Sequence, residues 1–270
     1  MKKIKILFVL FIGAALTIAS CKKDSSGGDT PVVKKHSYVT KRTNDDGSYS
    51  KYTYNGDNQL SKTEDYNASG TSTKYSVLTY SSKHLVKYES FENGTLKTKL
   101  EISNNSDGNP ISADIYITQT SVLTKIGSFK YTYSGGKLVS RSMLYEINGQ
   151  IFEVSKVEYT YTGDNITKKT EYSLAASQAL EVSGYTKYEY DSKKNPSLTL
   201  GLGIFTGDVG LISANNYTKE TVLDTSYTID NAHSINYTYE YNDKDYPTKE
   251  TSKTFDNSVT KVTTYTYDYR

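Results

Sequence analysis

Histidine is the residue type that most often carries acid–base or metal chemistry near neutral pH, and this chain has three histidines, His36, His84 and His233. They lie far apart, and none belongs to a His-Glu-x-x-His motif or has another metal-type ligand at helical spacing. His233 shares the alternating phase of Ile235 and Tyr237, which indicates a polar residue at a strand start. The sequence therefore predicts no metal site and no cofactor.

Glycine-rich and aspartate-rich segments do not match known binding motifs either. The glycines of residues 201–207 are spaced one residue too widely for the dinucleotide fingerprint, and no strand-helix-strand pattern surrounds them. Residues 44–47 and 105–108 lack the alternating acids and the distant glutamate of a calcium loop, which indicates ordinary turns. The sequence contains no Gly-x-Ser-x-Gly elbow and no P-loop. A glycoside hydrolase stays open as an alternative, because its two carboxylates can come from any two strands.

Tyrosine is the other residue type with chemistry to offer, since 27 tyrosines stand beside only 7 phenylalanines and no tryptophan. A tyrosine ring has an apolar body and a polar tip, so it can hold a sheet through cross-strand pairs or stack on a ligand such as a sugar chain. Three tyrosines in phase on the last predicted strand are the candidates for an exposed ligand-binding row: Tyr265, Tyr267 and Tyr269. The end of the chain could instead simply close a barrel there.

The tyrosines belong to a phrase that recurs along the chain, as in YTYTGDNITKK at residues 159–169. Tyrosines two apart share one face of a strand, and the Asx, Gly and Lys residues that follow suit a tight turn. Copies are spaced by 26 to 29 residues or by about twice that distance, and each long gap contains a degenerate copy. The clear copies centre on Tyr54, Tyr80, Tyr133, Tyr161, Tyr190, Tyr241 and Tyr267.

This repetition predicts the fold class. Each unit has the length of one long hairpin, and nothing between the units has the 3.6-residue apolar period of a helix. About 16 to 18 strands exceed the roughly 10 that an open twisted sheet usually sustains. We therefore expect an all-β fold, an antiparallel β-hairpin meander of repeated units rolled into a barrel-like or flattened-barrel sheet.

An apolar residue after each turn is repeated six positions later. Because six is an even number, this spacing predicts that both members of a pair lie on the same face of the strand. The four pairs are Leu60 and Tyr66, Leu85 and Phe91, Leu138 and Leu144, and Ile166 and Tyr172.

Residues 196–215 interrupt the repeat with an apolar, glycine-rich sequence that lacks the Tyr-Thr alternation. An exposed run of this kind would promote aggregation, so it must be buried. We expect the segment to leave the meander and to pack against the tyrosine face, as a plug or as an irregular crossing.

The first residues have the pattern of a secretory signal. Three lysines precede an apolar run over residues 6–18 that is too short to span a membrane, and the run ends in Ile18-Ala19-Ser20-Cys21. This ending resembles the lipobox of bacterial lipoproteins, which implies cleavage before Cys21 and lipid attachment to its thiol. We expect a lipoprotein signal peptide at residues 1–20, a lipidated flexible tether at 21–36, and a single repeat-built β domain at 37–270.

Composition limits what the domain can be. A secreted chain with one cysteine has no internal disulfide, so burial and strand pairing must hold it together. The formal charge of +2 falls to about −1 when the three signal-peptide lysines are removed, and there is no basic patch that would indicate nucleic acid.

Two families resemble this chain. The Tyr-x-Tyr-Asx phrase is similar to the YD repeats of RHS-type proteins, although the Gly-Arg pair that usually follows the Asx residue is missing, so the large closed shells of that family are not implied. The chain over residues 37–270 resembles an uncharacterised family of Bacteroidetes lipoproteins assigned a porin-like fold. That resemblance includes the Asn-Pro segment within residues 191–220 and implies no catalytic residue.

The residues between the tyrosines argue against a transmembrane pore. A transmembrane barrel turns a continuous apolar band toward lipid, whereas the alternating positions here are Thr132, Thr160, Glu189, Glu240 and Thr266. That face belongs in water.

The sequence favours a non-enzymatic outer-membrane lipoprotein that contacts the membrane through lipid on Cys21. Its expected partner is a glycan or another envelope protein, and the alternatives are an unfamiliar glycoside hydrolase and a structural partner of an envelope complex. Lys23-Asp24-Ser25 is half of the lysine-plus-two-acids signal for surface export of such lipoproteins, so we expect the cell surface rather than the periplasmic face.

Overall fold

The computed structural model describes residues 36–147 and 149–270. The expected signal peptide, Cys21 and all but the last residue of the expected tether lie outside the described residues. The described part contains sixteen strands: β1 (Ser37–Asn44), β2 (Tyr49–Tyr54), β3 (Leu60–Tyr66), β4 (Ser72–Ser81), β5 (His84–Glu92), β6 (Thr95–Asn104), β7 (Pro110–Gln119), β8 (Val122–Ser134), β9 (Lys137–Ile147), β10 (Gln150–Thr162), β11 (Asn165–Leu174), β12 (Leu180–Lys194), β13 (Asn215–Leu223), β14 (Ile235–Tyr241), β15 (Pro247–Thr254) and β16 (Thr260–Tyr269).

The strands form a closed antiparallel barrel. Each strand pairs with its neighbours in sequence, and β16 closes the barrel by pairing with β1. Closure leaves no free sheet edge, which removes the usual site of edge-to-edge aggregation. The predicted all-β fold, a hairpin meander rolled into a barrel, is confirmed.

The tyrosine repeat places its rings inside the barrel. Tyr54, Tyr131, Tyr159 and Tyr188 are between 4% and 8% exposed, because each points into the lumen beside the leucine or isoleucine that follows a turn. The residues between the tyrosines point outward, since side chains alternate along a strand. All five residues that the sequence assigned to water are exposed: Thr132, Thr160, Glu189, Glu240 and Thr266.

A β-bulge in the hairpins corrects one sequence prediction. Tyr54 lies opposite Leu60 while Thr53 lies opposite Lys62, so one residue of β3 has no partner. This extra residue shifts the side-chain phase, and the two members of each six-residue pair therefore face opposite sides of the wall. Leu60 is buried in the lumen, whereas Tyr66 stacks outside on Tyr49 at 4.7 Å. The same shift occurs between β4 and β5, β8 and β9, and β10 and β11.

The tyrosine hydroxyls join neighbouring hairpins through a recurring hydrogen bond, which we call the tyrosine latch. In each latch a tyrosine on an even-numbered strand donates to a backbone carbonyl at the start of the preceding odd-numbered strand, near the bulge. The hydroxyls of Tyr54, Tyr80, Tyr161, Tyr190, Tyr239 and Tyr267 donate to the carbonyls of Val39, Leu60, Leu138, Ile166, Tyr217 and Pro247, at 2.5 to 2.9 Å. The repeated phrase thus encodes both a hairpin and its attachment to the previous hairpin.

The turns next to the latches use side-chain amides. Asn55 Oδ1 accepts from the amides of Asp57 and Gln59, and Asn105 Oδ1 accepts in the same way from Asp107 and Asn109. Such Asx turns replace the backbone hydrogen bonds that the reversing chain loses. Residues 44–47 and 105–108 are therefore turns, as predicted.

Residues 195–213, which we call the plug, connect β12 to β13. They contain a 3-10 helix at Pro196–Leu200, a one-turn helix α1 (Gly203–Thr206) and a second 3-10 helix at Val209–Leu211. Leu200, Phe205 and Val209 are buried against the lumen tyrosines, and Arg141 Nη1 donates to the carbonyl of Phe205 at 2.7 Å. The prediction that this segment packs against the tyrosine face is confirmed. The plug lies at the barrel end that carries the Tyr-x-Tyr turns, which we call the plug end.

No helix in the described part of the chain is both long enough and apolar enough to cross a membrane.

Candidate ligand site in the barrel lumen

Two polar cavities lie between the plug and the barrel wall. One has a volume of about 290 Å³ and is lined by wall residues Lys169, Tyr188 and Glu220. The other has about 90 Å³ and is lined by Arg42, Tyr239, Glu250 and Tyr265, among others. Both cavities are also lined by Asp208, Gly210 and Tyr217, so we treat them as one region, the lumen site.

The strand register explains why these charged side chains point inward. Lys169 lies opposite Tyr159, Glu220 opposite Tyr188, and Glu250 opposite Tyr239. Residues directly opposite each other in an antiparallel pair share a face, so each tyrosine of the repeat fixes a charged neighbour in the lumen. Arg42 enters in the same way because it lies opposite Tyr265, where β16 closes on β1.

One half of the lumen site is an arginine–glutamate–tyrosine group. Tyr265 Oη donates to Glu250 Oε2 at 2.7 Å, and the Arg42 guanidinium lies 5.5 Å from the centre of the Tyr265 ring. Burial by itself would lower the pKa of Arg42, but Tyr265, Tyr52 and Glu250 outweigh it and leave that pKa raised. Burial and the Glu250 carboxylate raise the pKa of Tyr265 well above its ordinary value. This half therefore presents a permanent cation beside a neutral phenol.

The other half centres on Glu220. Its carboxylate accepts from Tyr237 Oη at 3.2 Å and, over a longer distance, from Tyr188 Oη at 3.5 Å. Burial raises the pKa of Glu220 despite the opposing effects of Tyr237 and Lys169. Lys169 Nζ lies 3.1 Å from Glu171 Oε1, so an ion pair also faces the lumen here.

The plug supplies a carboxylate between the two halves. Asp208 Oδ1 accepts from the amide of Gly210 at 2.8 Å, which fixes the turn before the second 3-10 helix. Tyr217 packs edge-on against Tyr237, with ring centres 4.7 Å apart. The lumen site therefore offers fixed hydrogen-bond donors and acceptors held between packed tyrosine rings. A polyhydroxylated ligand needs this combination, because each hydroxyl both donates and accepts.

The three tyrosines proposed from the sequence do not form an exposed row on the outer wall. Tyr265 lines the lumen site, Tyr267 makes a latch to Pro247, and the ring of Tyr269 lies 3.3 Å from Lys244 Nζ. All three lie on the lumen side of β16, because closure against β1 turns their face inward. The alternative reading, that the last strand closes the barrel, is confirmed, and ligand binding by these tyrosines stays a prediction.

Five charged residues of the lumen site did not stand out in the sequence. Arg42, Lys169, Asp208, Glu220 and Glu250 lie in five separate segments, and each resembles the many charged residues of the outer wall. Only the alternation of side chains along each strand, counted with the bulges included, would have identified them as inward-facing.

The histidines do not converge. His233 Nδ1 lies 2.7 Å from Asp230 Oδ2 in the loop before β14, and His84 lies at the plug end beside Gly108. Within residues 36–147 and 149–270, no group of three or more His, Cys, Asp or Glu side chains is arranged to hold a metal ion.

Comparison with known protein structures identifies proteins of similar architecture. A porin-like protein from Bacteroides uniformis ATCC 8492 aligns with a TM-score of 0.52 at 13% identity, covering 85% of this chain and 96% of that one. A porin-like protein from Bacteroides vulgatus ATCC 8482 aligns with a TM-score of 0.49 at 12% identity, covering 86% and 99%. No protein-family model and no curated protein sequence matches the chain. At this identity the first likeness shows the fold alone, and it confirms the porin-like architecture that the family resemblance implied.

Proposed function

We propose that this chain is a lipid-anchored envelope protein whose barrel stands in water and binds a carbohydrate in the lumen site. The lipobox-like residues that end in Cys21 support the anchor, and the observation that carries the binding function is the lumen site itself.

The outer wall supports the proposal that the barrel is surrounded by water. Ion pairs lie on the outward face of several strands, including Lys62–Glu64 at 2.7 Å within β3 and Lys99–Glu101 at 2.7 Å within β6. A lysine facing lipid at the bilayer midplane costs about 2–4 kcal/mol, so a wall with several such pairs does not suit a membrane interior. This barrel therefore differs in environment from a transmembrane pore of similar architecture.

The lumen site supports carbohydrate as the ligand class. Its larger cavity, about 290 Å³, is close to the lower limit of roughly 300 Å³ for small-molecule pockets. Lys169, Glu220 and Asp208 line the cavity beside the rings of Tyr188 and Tyr217, and these charged groups offer partners for the hydroxyls of a sugar. Charges of both signs line the cavity, which favours a neutral polar ligand over a strongly charged one.

The direct test is a glycan array on the purified protein, followed by calorimetric titration of the glycan with the highest signal. We expect Asp208→Asn to weaken that binding at least tenfold, because it removes the carboxylate that lines both cavities, while the amide oxygen can still accept from Gly210. Glu240→Gln is the matched control, since Glu240 pairs outside with Lys249 at 2.7 Å. Failure of every glycan to bind, or equal weakening by both variants, would contradict the proposal.

A glycoside hydrolase is the second candidate, and one observation favours it. Asp208 and Glu220 line the same cavity, and burial raises the pKa of Glu220, as the general acid of such an enzyme requires. Hydrolysis of a bound glycan that disappears in Glu220→Gln would favour this candidate. Binding without turnover would favour the non-enzymatic one. An assembly partner that uses only a flat apolar surface is less well supported, because it gives the charged lumen no role.

The anchor and the location have separate tests. We expect full-length protein to incorporate an azide-tagged fatty acid in cells and Cys21→Ser to lose the label and leave the membrane fraction. If the protein is displayed on the surface, protease added to intact cells removes the barrel. Survival of the barrel until the cells are lysed would place it on the periplasmic face.

A further inference from the structure

The hairpin formed by β6 and β7 departs from the tyrosine repeat. Asn104 lies opposite Pro110 with a bulge before it, in the position that Tyr54 occupies opposite Leu60. Its Nδ2 atom donates to the carbonyl of Leu85 at 3.0 Å, so the short amide forms the latch that a tyrosine hydroxyl forms elsewhere. The hydrogen bond is kept, but the ring that accompanies it in the other latches is missing.

A hollow of about 290 Å³ lies at this position. Its wall includes Leu60, Tyr80, Leu85 and Asn104 of the barrel, and Leu200 and Phe205 of the plug close it from the lumen side. Tyr80 belongs to the preceding latch, so the hollow lies where the next ring of the series would pack. Its inner wall is apolar and aromatic, whereas polar turn residues such as Gln59, Lys83 and Asn109 surround its mouth, so it could hold a ring that has one polar end.

A buried oxygen beside the hollow lacks a partner. Among the described residues, three buried side-chain oxygens have no hydrogen-bond partner, Asn104 Oδ1, Tyr131 Oη and Tyr133 Oη. An unsatisfied buried polar atom is costly, because it has lost its bonds to water and gained none in exchange. Asn104 Oδ1 can only accept, so it needs a donor.

We propose that the hollow at Asn104 binds a small para-substituted phenol, whose ring takes the place of the missing tyrosine side chain. The ring packs between Tyr80 and the plug residues Leu200 and Phe205, and the phenol hydroxyl donates to Asn104 Oδ1. Because that oxygen is sealed in the free protein, the Asn104 amide must turn toward the hollow as the ligand enters. The hollow and the lumen site share no lining residue, so this binding does not depend on the proposed carbohydrate function.

The probe is 4-methylphenol, which has the structure of a tyrosine side chain, titrated calorimetrically into the purified protein. We expect the wild type to bind it at least tenfold more tightly than toluene, which has the ring without the donor. Asn104→Tyr fills the hollow and should abolish binding. It should also raise the melting temperature by about 2–4 °C, because it removes the unpartnered Asn104 Oδ1 atom and buries a ring, while the new hydroxyl can keep the hydrogen bond to Leu85. Ser103→Tyr is the matched control, because Ser103 is exposed on the same strand and should leave binding unchanged.

A second measurement needs no variant. With methyl-labelled wild type, 4-methylphenol should shift the NMR signals of Leu60, Leu85 and Leu200 and leave Val209 of the lumen site unmoved. Equal affinity for toluene, undiminished binding by folded Asn104→Tyr, or shifts centred on Val209 would each overturn the proposal.

Discussion

At the residue scale, a tyrosine in this barrel contributes both a ring and a hydroxyl. The ring supplies the apolar area that a chain without tryptophan must obtain elsewhere, and the hydroxyl satisfies a carbonyl near a bulge. Tyr161 and Tyr133 occupy equivalent positions in their hairpins, so comparing them distinguishes the contribution of the hydroxyl from that of the ring. Burial raises the pKa of each to about 12, but Tyr161 donates to Leu138 whereas Tyr133 has no partner.

We expect Tyr161→Phe to lower the free energy of unfolding by about 1 kcal/mol, because it leaves the Leu138 carbonyl unpaired. Tyr133→Phe should leave stability unchanged or increase it, since the hydroxyl it removes is buried without a partner. Urea denaturation of both variants beside the wild type measures the difference. Equal losses would show that the latch hydrogen bond does not account for the stability of the hairpin.

The raised pKa of Glu220 has a consequence for stability. Since its pKa in the folded state lies above that in the unfolded state, the native barrel binds a proton more readily at this position. Stability from this residue is therefore fully present below the unfolded value, about 4.3, and is lost as the pH rises through the folded value. We expect Glu220→Gln to be more stable than the wild type at pH 7 and to lose that advantage toward pH 4. Urea midpoints from pH 4 to 8 test this, and a wild-type advantage that grows with pH would contradict it.

At the element scale, the plug is a short irregular segment that the barrel holds in place. Gly203 permits the approach, because a Cβ atom there would lie 2.5 Å from the carbonyl oxygen of Leu211. Replacing both Ile204 and Phe205 by serine should cost several kcal/mol through lost burial. Phe205 should account for most of it, since that ring is 8% exposed and packs against Tyr131.

The single change Phe205→Ala should therefore lower the free energy of unfolding by about 3–5 kcal/mol. The control is Leu198→Ala in the first 3-10 helix, where the side chain is 40% exposed, and it should cost less than about 1 kcal/mol. Thermal melts followed by near-ultraviolet circular dichroism report on both. An unchanged Phe205→Ala melt would show that the plug is not part of the core.

The hairpins and the plug could be predicted because their patterns are local. The spacing of Tyr-x-Tyr and the turn residues after it determine a strand, a reversal and a second strand, and the segment around Phe205 stands out because it breaks that pattern. The bulge at Ser61 could not be predicted, since one unpaired residue changes no composition and no repeat length. Because side chains alternate between the two faces of a strand, this one extra residue places Tyr66 on the opposite face from Leu60 instead of on the same face.

The lumen site could not be predicted for a related reason. Arg42 and Glu250 meet only because the first strand closes on the last, and Asp208 joins them only because the plug folds back. Nothing in the local sequence around Glu250 distinguishes it from Glu240, whose side chain points outward.

At the scale of the whole molecule, closure gives the barrel two different surfaces. The first and last described residues, His36 and Arg270, exchange backbone hydrogen bonds of 2.7 and 3.1 Å, so the chain enters and leaves the barrel at the plug end. The polar side chains that line the lumen are sheltered by the plug, while the outer wall carries Lys–Glu pairs and threonines. A transmembrane barrel would instead present an apolar band outside.

The outer wall leads to a prediction about the whole barrel. Residues 36–270, produced without the preceding segment, should run as a monodisperse species in gel filtration without detergent and give no conductance steps in a planar bilayer. The reason is that outward pairs such as Lys219–Glu189, at 3.2 Å, would have to enter hydrocarbon at about 2–4 kcal/mol for each lysine near the midplane. An established outer-membrane porin prepared in parallel provides the control, because it needs detergent and conducts. Recovery of this barrel only in detergent, or stepwise conductance, would mean that the charged wall meets lipid after all and that the barrel is a pore.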